Sequence, residues 1–148
     1  MIEASIKKVD INSLPQVAEI YNQIFRPVRT VENLERRFLG RHNPLILLAE
    51  AKDRSVGFFV GYEWKPSTFY GWFYGVLPDF RRQGITSQLM EYAHRWATEQ
   101  KYARFRIECF NSQRPMLHLA IELGFDVLGL RYDVDHKENL ILFEKALG

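Results

Sequence analysis

The chain has 148 residues, 47% of them hydrophobic and 14% aromatic, enough for one globular domain with a core and too few for two. Its 20 Lys and Arg against 18 Asp and Glu leave a formal charge of +2, which excludes the basic excess of a protein that wraps a phosphate backbone. The single cysteine, Cys109, excludes an internal disulfide and a thiolate zinc cluster. No stretch approaches the ~18 apolar residues of a membrane span, and the opening MIEASIKKVD carries no apolar leader. The expectation is one cytoplasmic domain over residues 1–148, without a metal, a membrane or a nucleic-acid partner, and acting as a monomer or a homodimer.

Along the chain, Ser13 with Gln16 three positions on resembles a capping box, and Val17, Ile20 and Ile24 recur at helical spacing, predicting a helix over 13–25. Pro27 breaks it. Thr30 starts a shorter helix with Val31, Leu34 and Phe38 on one face, ended by Gly40. Apolar runs at 45–51 and 56–63, separated by Lys52-Asp53-Arg54-Ser55, predict a hairpin, and the aromatic run 69–77, stopped by Pro78, makes it a meander of three strands. From Gly84, the residues Ile85, Leu89, Ala93, Trp96 and Ala97 mark a long amphipathic helix to about Gln100. Ala103, Phe105, Ile107 and Cys109 then alternate with Arg104, Arg106 and Glu108, a half-buried strand. A helix between two strands implies that they pair in parallel. Pro115, Met116, Leu119, Ala120, Leu123 and Gly124 outline a last short helix, and residues 128–132 with 140 onward give a closing hairpin.

The stretch Arg81-Arg82-Gln83-Gly84-Ile85-Thr86-Ser87 lies between a strand and a helix start. Backbone N–H groups of a glycine-bearing loop, at the positive end of a helix dipole, suit a pyrophosphate. Arg81 and Arg82 add charge-assisted contacts, and Thr86 and Ser87 add hydroxyls. Taken alone, such a loop also reads as a solvated basic cap on an ordinary helix.

Four features coincide: the strand end Val76-Leu77-Pro78, the Arg81 to Thr86 stretch, the long helix that follows, and Leu123-Gly124-Phe125. Together they resemble the GNAT (Gcn5-related N-acetyltransferase) superfamily. Its Q/R-x-x-G-x-G/A signature is met by Arg81 and Gly84 and departed from at Thr86. The resemblance implies an α/β fold of α+β type, with a mixed, mostly antiparallel sheet of six to seven strands, a splayed parallel pair and about four helices. It also implies acetyl-CoA as co-substrate. Its pyrophosphate would lie on Arg81, Arg82, Gln83, Gly84, Ile85, Thr86 and Ser87, and its pantetheine arm on the backbone of Tyr74, Gly75 and Val76. An amide at Gln113 or Asn111 would contact the arm or a water. Gly71 and Gly75 suit a bulge or a close backbone approach in that strand, or simple room for neighbouring aromatics.

The family's frequent tyrosine acid falls on Ala120, and its frequent Glu or His base falls on Tyr70. By resemblance to the ribosomal-protein acetyltransferases of the superfamily, the catalytic base maps to Glu108. The alternative for Glu108 is a surface ion pair with Arg104 or Arg106. Tyr70 as a relay, and Glu63 or His118 acting through water, are further candidates. Cys109, on the apolar side of its strand, is expected to be inert. The expected activity is direct transfer of an acetyl group to a primary amine of a small molecule or a protein. The competing reading is a catalytically silent acyl-CoA-binding or protein-interaction module. RNA binding through the aromatic strand lacks an RNP-like run. Tyr21, Phe25, Trp64, Phe69 and Tyr132, with Arg29, Arg36 and Asp133, suggest a partly apolar acceptor pocket.

Overall fold

Lys52 and Asp53 both sit at positive φ (52° and 63°), the two-residue turn whose twist matches paired antiparallel strands, and this turn sets the first hairpin. In the computed structural model, which describes residues 3–148, it joins β2 (Leu45–Ala51) to β3 (Arg54–Lys65). Met1 and Ile2, with which the expected domain begins, lie outside the described residues. The remaining strands are β1 (Ser5–Val9), β4 (Thr68–Val76), β5 (Arg104–Phe110), β6 (Asp126–Asp133) and β7 (Glu138–Ala146). The helices are α1 (Leu14–Ile24), α2 (Val31–Phe38), α3 (Ile85–Glu99) and α4 (Arg114–Glu122). One sheet has the order β1-β2-β3-β4-β5-β7-β6. Its β4–β5 pair is parallel and the other neighbours are antiparallel. The expected mixed sheet of α/β type, with four helices and one parallel pair, is the architecture observed.

The structure adds one strand and corrects one local expectation. β1 escapes a period-two reading because its only large apolar residues, Ile6 and Val9, are three apart; it is an edge strand whose lysines face solvent. The capping box does not form: Ser13 has φ −94° and ψ 6°, outside the extended region that a capping residue adopts. Instead Asp10 caps the 3-10 turn Ile11–Ser13, accepting from the Asn12 N–H at 2.9 Å.

The sheet's two faces pack differently. Phe59, Phe69, Phe105 and Ile107 are fully buried on the face that α3 covers through Trp96, 5.1 Å from Phe69, and each such side chain contributes about 1.5–3 kcal/mol. On the other face α1 and α2 bring Tyr21 and Phe38 against Phe58, Tyr62 and Trp72. The β3–β4 register runs Val60 to Phe73 and then Gly61 to Gly71, so Trp72 is an extra, unopposed residue. That bulge resets the alternation. Trp72 and Phe73 both point to the α1/α2 face, Trp72 against Phe38 and Phe73 against Tyr21. Gly71 adjoins the bulge, and a Cβ there would lie 3.0 Å from the Phe59 ring. At Gly75 a Cβ would lie 3.0 Å from Ile24 Cδ1, so both glycines also make room for packed neighbours.

Parallel pairing of β4 with β5 covers only Thr68–Arg104 to Gly71–Ile107. Beyond the bulge the strands separate, while β5 stays paired to β7 up to Phe110. The result is a gap in mid-sheet, opening between Val76 and Phe110.

Candidate active site

Gly84 caps α3 at φ +78° with no side-chain hydrogen bond. Gln88 makes the first helical bond, back to the Gly84 carbonyl at 3.1 Å. The N–H groups of Ile85, Thr86 and Ser87 are therefore left over by the helix, as at any helix start. Arg82 also sits at positive φ (62°), a conformation that costs a non-glycine residue on the order of 1 kcal/mol. Arg82 and Gly84 are both left-handed in this short loop, a backbone compatible with presenting amides to an anion. Arg81 reaches back, its Nε donating to the Val76 carbonyl at 3.0 Å, which ties the loop to the end of β4. A cleft of about 550 Å3 runs from this loop into the gap, lined by Arg81, Arg82, Gly84, Ile85, Thr86 and Ser87, by Tyr74, Gly75 and Val76, and by Gln113. Pro115, Met116 and Leu119 form its apolar wall.

A second cleft of about 570 Å3 opens on the α1/α2 side and holds Tyr70, Glu108, Trp64, Trp72, Arg131 and His136. Phe25, Tyr74 and Gln113 line both clefts. The two spaces meet at the splay.

Glu108 is the most heavily hydrogen-bonded acid of this second cleft. Tyr70 donates its hydroxyl to Oε2 at 2.5 Å, and Arg131 donates from Nε (3.0 Å) and from its terminal nitrogen (2.7 Å) to Oε1. The expected pairing of Glu108 with Arg104 or Arg106 is corrected: both arginines bond Glu144. The register explains this, because Arg106 stands opposite Glu144 on β7 whereas Glu108 stands opposite Leu142 and turns to Arg131 on the strand beyond. A carboxylate offers about four acceptor positions. Three are used. Burial, and then the Glu108 charge, push the Tyr70 hydroxyl well above the ordinary tyrosine range, so it stays protonated. Burial alone would lower Arg131, but its bonds to Glu108 outweigh that and raise it. Tyr74, raised chiefly by burial, reaches across the gap to the Glu108 carbonyl (3.1 Å) and Cys109 Sγ (3.2 Å). Burial pushes the Cys109 thiol up to about 11, as expected of an inert thiol.

His136 is the site residue that sequence reading passes over. Its Nδ1 bonds Asp133 Oδ2, its ring lies 4.5 Å from Phe110 and 6.4 Å from Phe73, and its buried Nε2 has no hydrogen-bond partner among the described residues. The sequence signal is only a His three residues after an Asp in a polar turn, which carries no pattern of its own. Of the remaining sequence candidates, Glu63 accepts from the Tyr102 hydroxyl (2.9 Å), and His118 is exposed on α4. Neither lines either cleft, and nor do Asn111 and Gln83. Phe69 is a core residue, and Tyr21 acts behind the wall by receiving Arg29 Nε at 2.9 Å.

A family model for the acetyltransferase (GNAT) family matches residues 14–125, and the chain belongs to that family. The search of curated proteins finds no match. Among solved structures, the fold is similar to the ribosomal-protein-S18-alanine N-acetyltransferase of Escherichia coli (TM-score 0.85, 17% identity, 99% of this chain and 95% of that chain). It is similar also to a GNAT family acetyltransferase from Elizabethkingia anophelis with acetyl-CoA bound (TM-score 0.78, 20% identity, 97% and 98%). A third is yncA of Salmonella typhimurium, a putative acetyltransferase with its cofactor acetyl-CoA (TM-score 0.78, 16% identity, 99% and 95%). Among the described residues no helix is long and apolar enough to cross a membrane, and no group of three or more His, Cys, Asp or Glu side chains is placed to hold a metal ion.

Proposed function

We propose that the protein is an N-acetyltransferase that moves an acetyl group from acetyl-CoA to a primary amine within a ternary complex. The observation that carries this is the meeting of the two clefts: one begins at a phosphate-type loop, the other holds titratable side chains, and Phe25, Tyr74 and Gln113 line both. The first cleft fits acetyl-CoA. The free amides of Ile85, Thr86 and Ser87, with Arg81 and Arg82, suit its pyrophosphate. The β5-facing backbone of Tyr74, Gly75 and Val76, beyond the parallel ladder, suits an extended pantetheine arm.

Bound there, acetyl-CoA supplies a thioester: the amine nitrogen bonds to its carbonyl carbon, the carbon–sulfur bond breaks, and coenzyme A leaves as the thiol once a proton is returned. The chain's own residues manage the protons and the position of the amine. Glu108, with one acceptor position open, receives and orients the amine, and Tyr70 and Arg131 fix its carboxylate. The Asp133–His136 pair takes the proton that the nitrogen must lose. With Nδ1–H held by Asp133, Nε2 carries the lone pair. His136 lies tilted against Phe110, whose ring is 6.3 Å from that of Phe25 at the junction, and it lines the cleft, as Glu63 and His118 do not. Cys109 stays a thiol at neutral pH and takes no acetyl group, which favours direct transfer.

The test is release of coenzyme A thiol in the presence of acetyl-CoA and a panel of primary amines. Release that depends on the amine supports the reading. Saturable acetyl-CoA binding with no release on any amine favours the silent acyl-CoA-binding module. The fold, a monomer or homodimer, and a cytoplasmic setting are compatible with either.

A further inference from the structure

The charges of the acceptor cleft do not balance. Five arginines and three carboxylates line it. Arg131 is paired with Glu108, Arg106 with Glu144, and Asp133 with His136. Arg29 donates from Nε to the Tyr21 hydroxyl at 2.9 Å and lies 5.4 Å from the Trp72 ring centre. Arg29, Arg37 and Arg41 have no carboxylate within ion-pair distance among the described residues, and of these Arg37 and Arg41 converge on one ring, that of Tyr62.

These two guanidinium groups are held, not loose. Arg37 Nε donates to the Tyr62 hydroxyl at 2.9 Å, and its guanidinium lies 4.6 Å from the Trp72 ring centre. Arg41 lies 4.8 Å from the Tyr62 ring centre, and its Nε donates to the Arg37 carbonyl at 3.4 Å. Each contacts its neighbours through Nε and an aromatic face, and the terminal nitrogens, the pair that grips an oxyanion in parallel, have no hydrogen-bond acceptor among the described residues. Two like charges on one tyrosine ring repel, and an anion between them relieves that repulsion. Tyr62 is also 5.5 Å, ring to ring, from Tyr70, whose hydroxyl meets Glu108. The cationic subsite and the amine-orienting carboxylate therefore stand two aromatic rings apart in one half-enclosed cleft of small-molecule size.

We infer that the acceptor is a small amine that also bears an oxyanion, a carboxylate or a phosphonate, which Arg37 and Arg41 bind while Glu108 receives the amine. This rests on the acetyltransferase reading. The bulge places the subsite: it turns Trp72 and Phe73 to the same face, and Trp72 is the surface against which Arg37 lies.

The experiment compares matched amines, with thiol release as one readout and quenching of Trp64 and Trp72 fluorescence as the other. L-Phenylalanine is set against phenethylamine and L-phenylalaninamide, and 2-aminoethylphosphonate against ethylamine. The expected result is a kcat/KM at least tenfold higher for the anionic member of at least one set, with the carboxylate and phosphonate arms telling the two oxyanions apart. Arg37→Gln combined with Arg41→Gln should bring that ratio close to one, and acetyl-CoA should still raise the melting temperature of this variant, which shows that it is folded. Equal kcat/KM for charged and neutral members, or an equal fall for both in the double variant, overturns the inference while leaving acetyl transfer intact. If no amine releases thiol, the acetyltransferase reading fails, and the fluorescence arm still decides the subsite: saturable quenching by an anionic amine that the double variant loses supports it, and its absence overturns it.

Discussion

Tyr70 and Glu108 are 38 residues apart and joined by a 2.5 Å hydrogen bond that spans the end of the β4–β5 ladder, Tyr70 pairing with Arg106 and Glu108 lying one residue past the last rung at Ile107. The bond marks where the sheet stops pairing and begins to open. Because Arg131 also holds Glu108, this carboxylate positions more than it accepts. Glu108→Gln should raise the KM for the amine about tenfold and lower kcat less, with acetyl-CoA affinity near that of the unaltered protein. A fall of ~100-fold in kcat alone, with loss of the acid limb of its pH profile, would instead make Glu108 the base.

His136→Gln keeps an amide near the place of Nε2 but cannot take a proton. It should lower kcat by ~100-fold or more and flatten the acid limb of the profile, with little change in acetyl-CoA affinity. Turnover within twofold of the unaltered enzyme would remove His136 from the mechanism. Steady-state rates across pH for both variants separate the two roles.

Gly84→Val places a β-branched side chain at φ +78° and over the amides of the loop. Acetyl-CoA at ~100 times its dissociation constant contributes about 2.7 kcal/mol, a rise of about 5–10 °C in Tm for a domain of this size. The substitution should remove most of that rise while the far-UV circular dichroism stays close to that of the unaltered protein. A normal rise would mean that the phosphate does not lie on this loop.

His94 lies away from both clefts, edge-on to Phe105 at 4.5 Å. Burial, with Lys145 nearby, lowers its pKa from the ordinary 6.5 to about 4. The unfolded chain therefore binds a proton that the folded one refuses between these values, so stability is complete above about pH 6.5 and is lost as pH falls towards 4. The loss amounts to a few kcal/mol at most, about 3 by the size of the shift. His94→Phe should flatten the fall of Tm over that window. An unchanged slope would show that another group drives it.

The strands β2 to β5, both crossover partners and the α3 start were legible because alternation, a proline stop and a glycine at a helix entry are local signals. Gly84 could be placed because its need for positive φ is a property of one residue. Arg104 and Arg106 were assigned to Glu108 because strand alternation puts all three on one face. Glu108 meets neither: both arginines bond Glu144 on β7 and Glu108 bonds Arg131 on β6, pairings set by the register of distant strands, which no local pattern contains. The bulge at Trp72 was hidden for the same reason: its neighbour Gly71 permits it, but the extra residue exists only relative to β3. His136 needed the closing turn folded back onto Phe110 before its lone nitrogen had a meaning. Arg37, in the last turn of α2, and Arg41, just beyond it, carry no sequence pattern of their own and gain a meaning only where Tyr62 and Trp72 lie against them.

The most direct test of the central claim is the initial rate of thiol release with acetyl-CoA and one accepted amine both varied. Direct transfer at the junction of the two clefts predicts double-reciprocal lines that intersect, with no thiol burst and no acetylated protein by intact mass when the amine is omitted. Parallel lines with an acetylated enzyme, or acetyl-CoA binding without release on any amine, would contradict it.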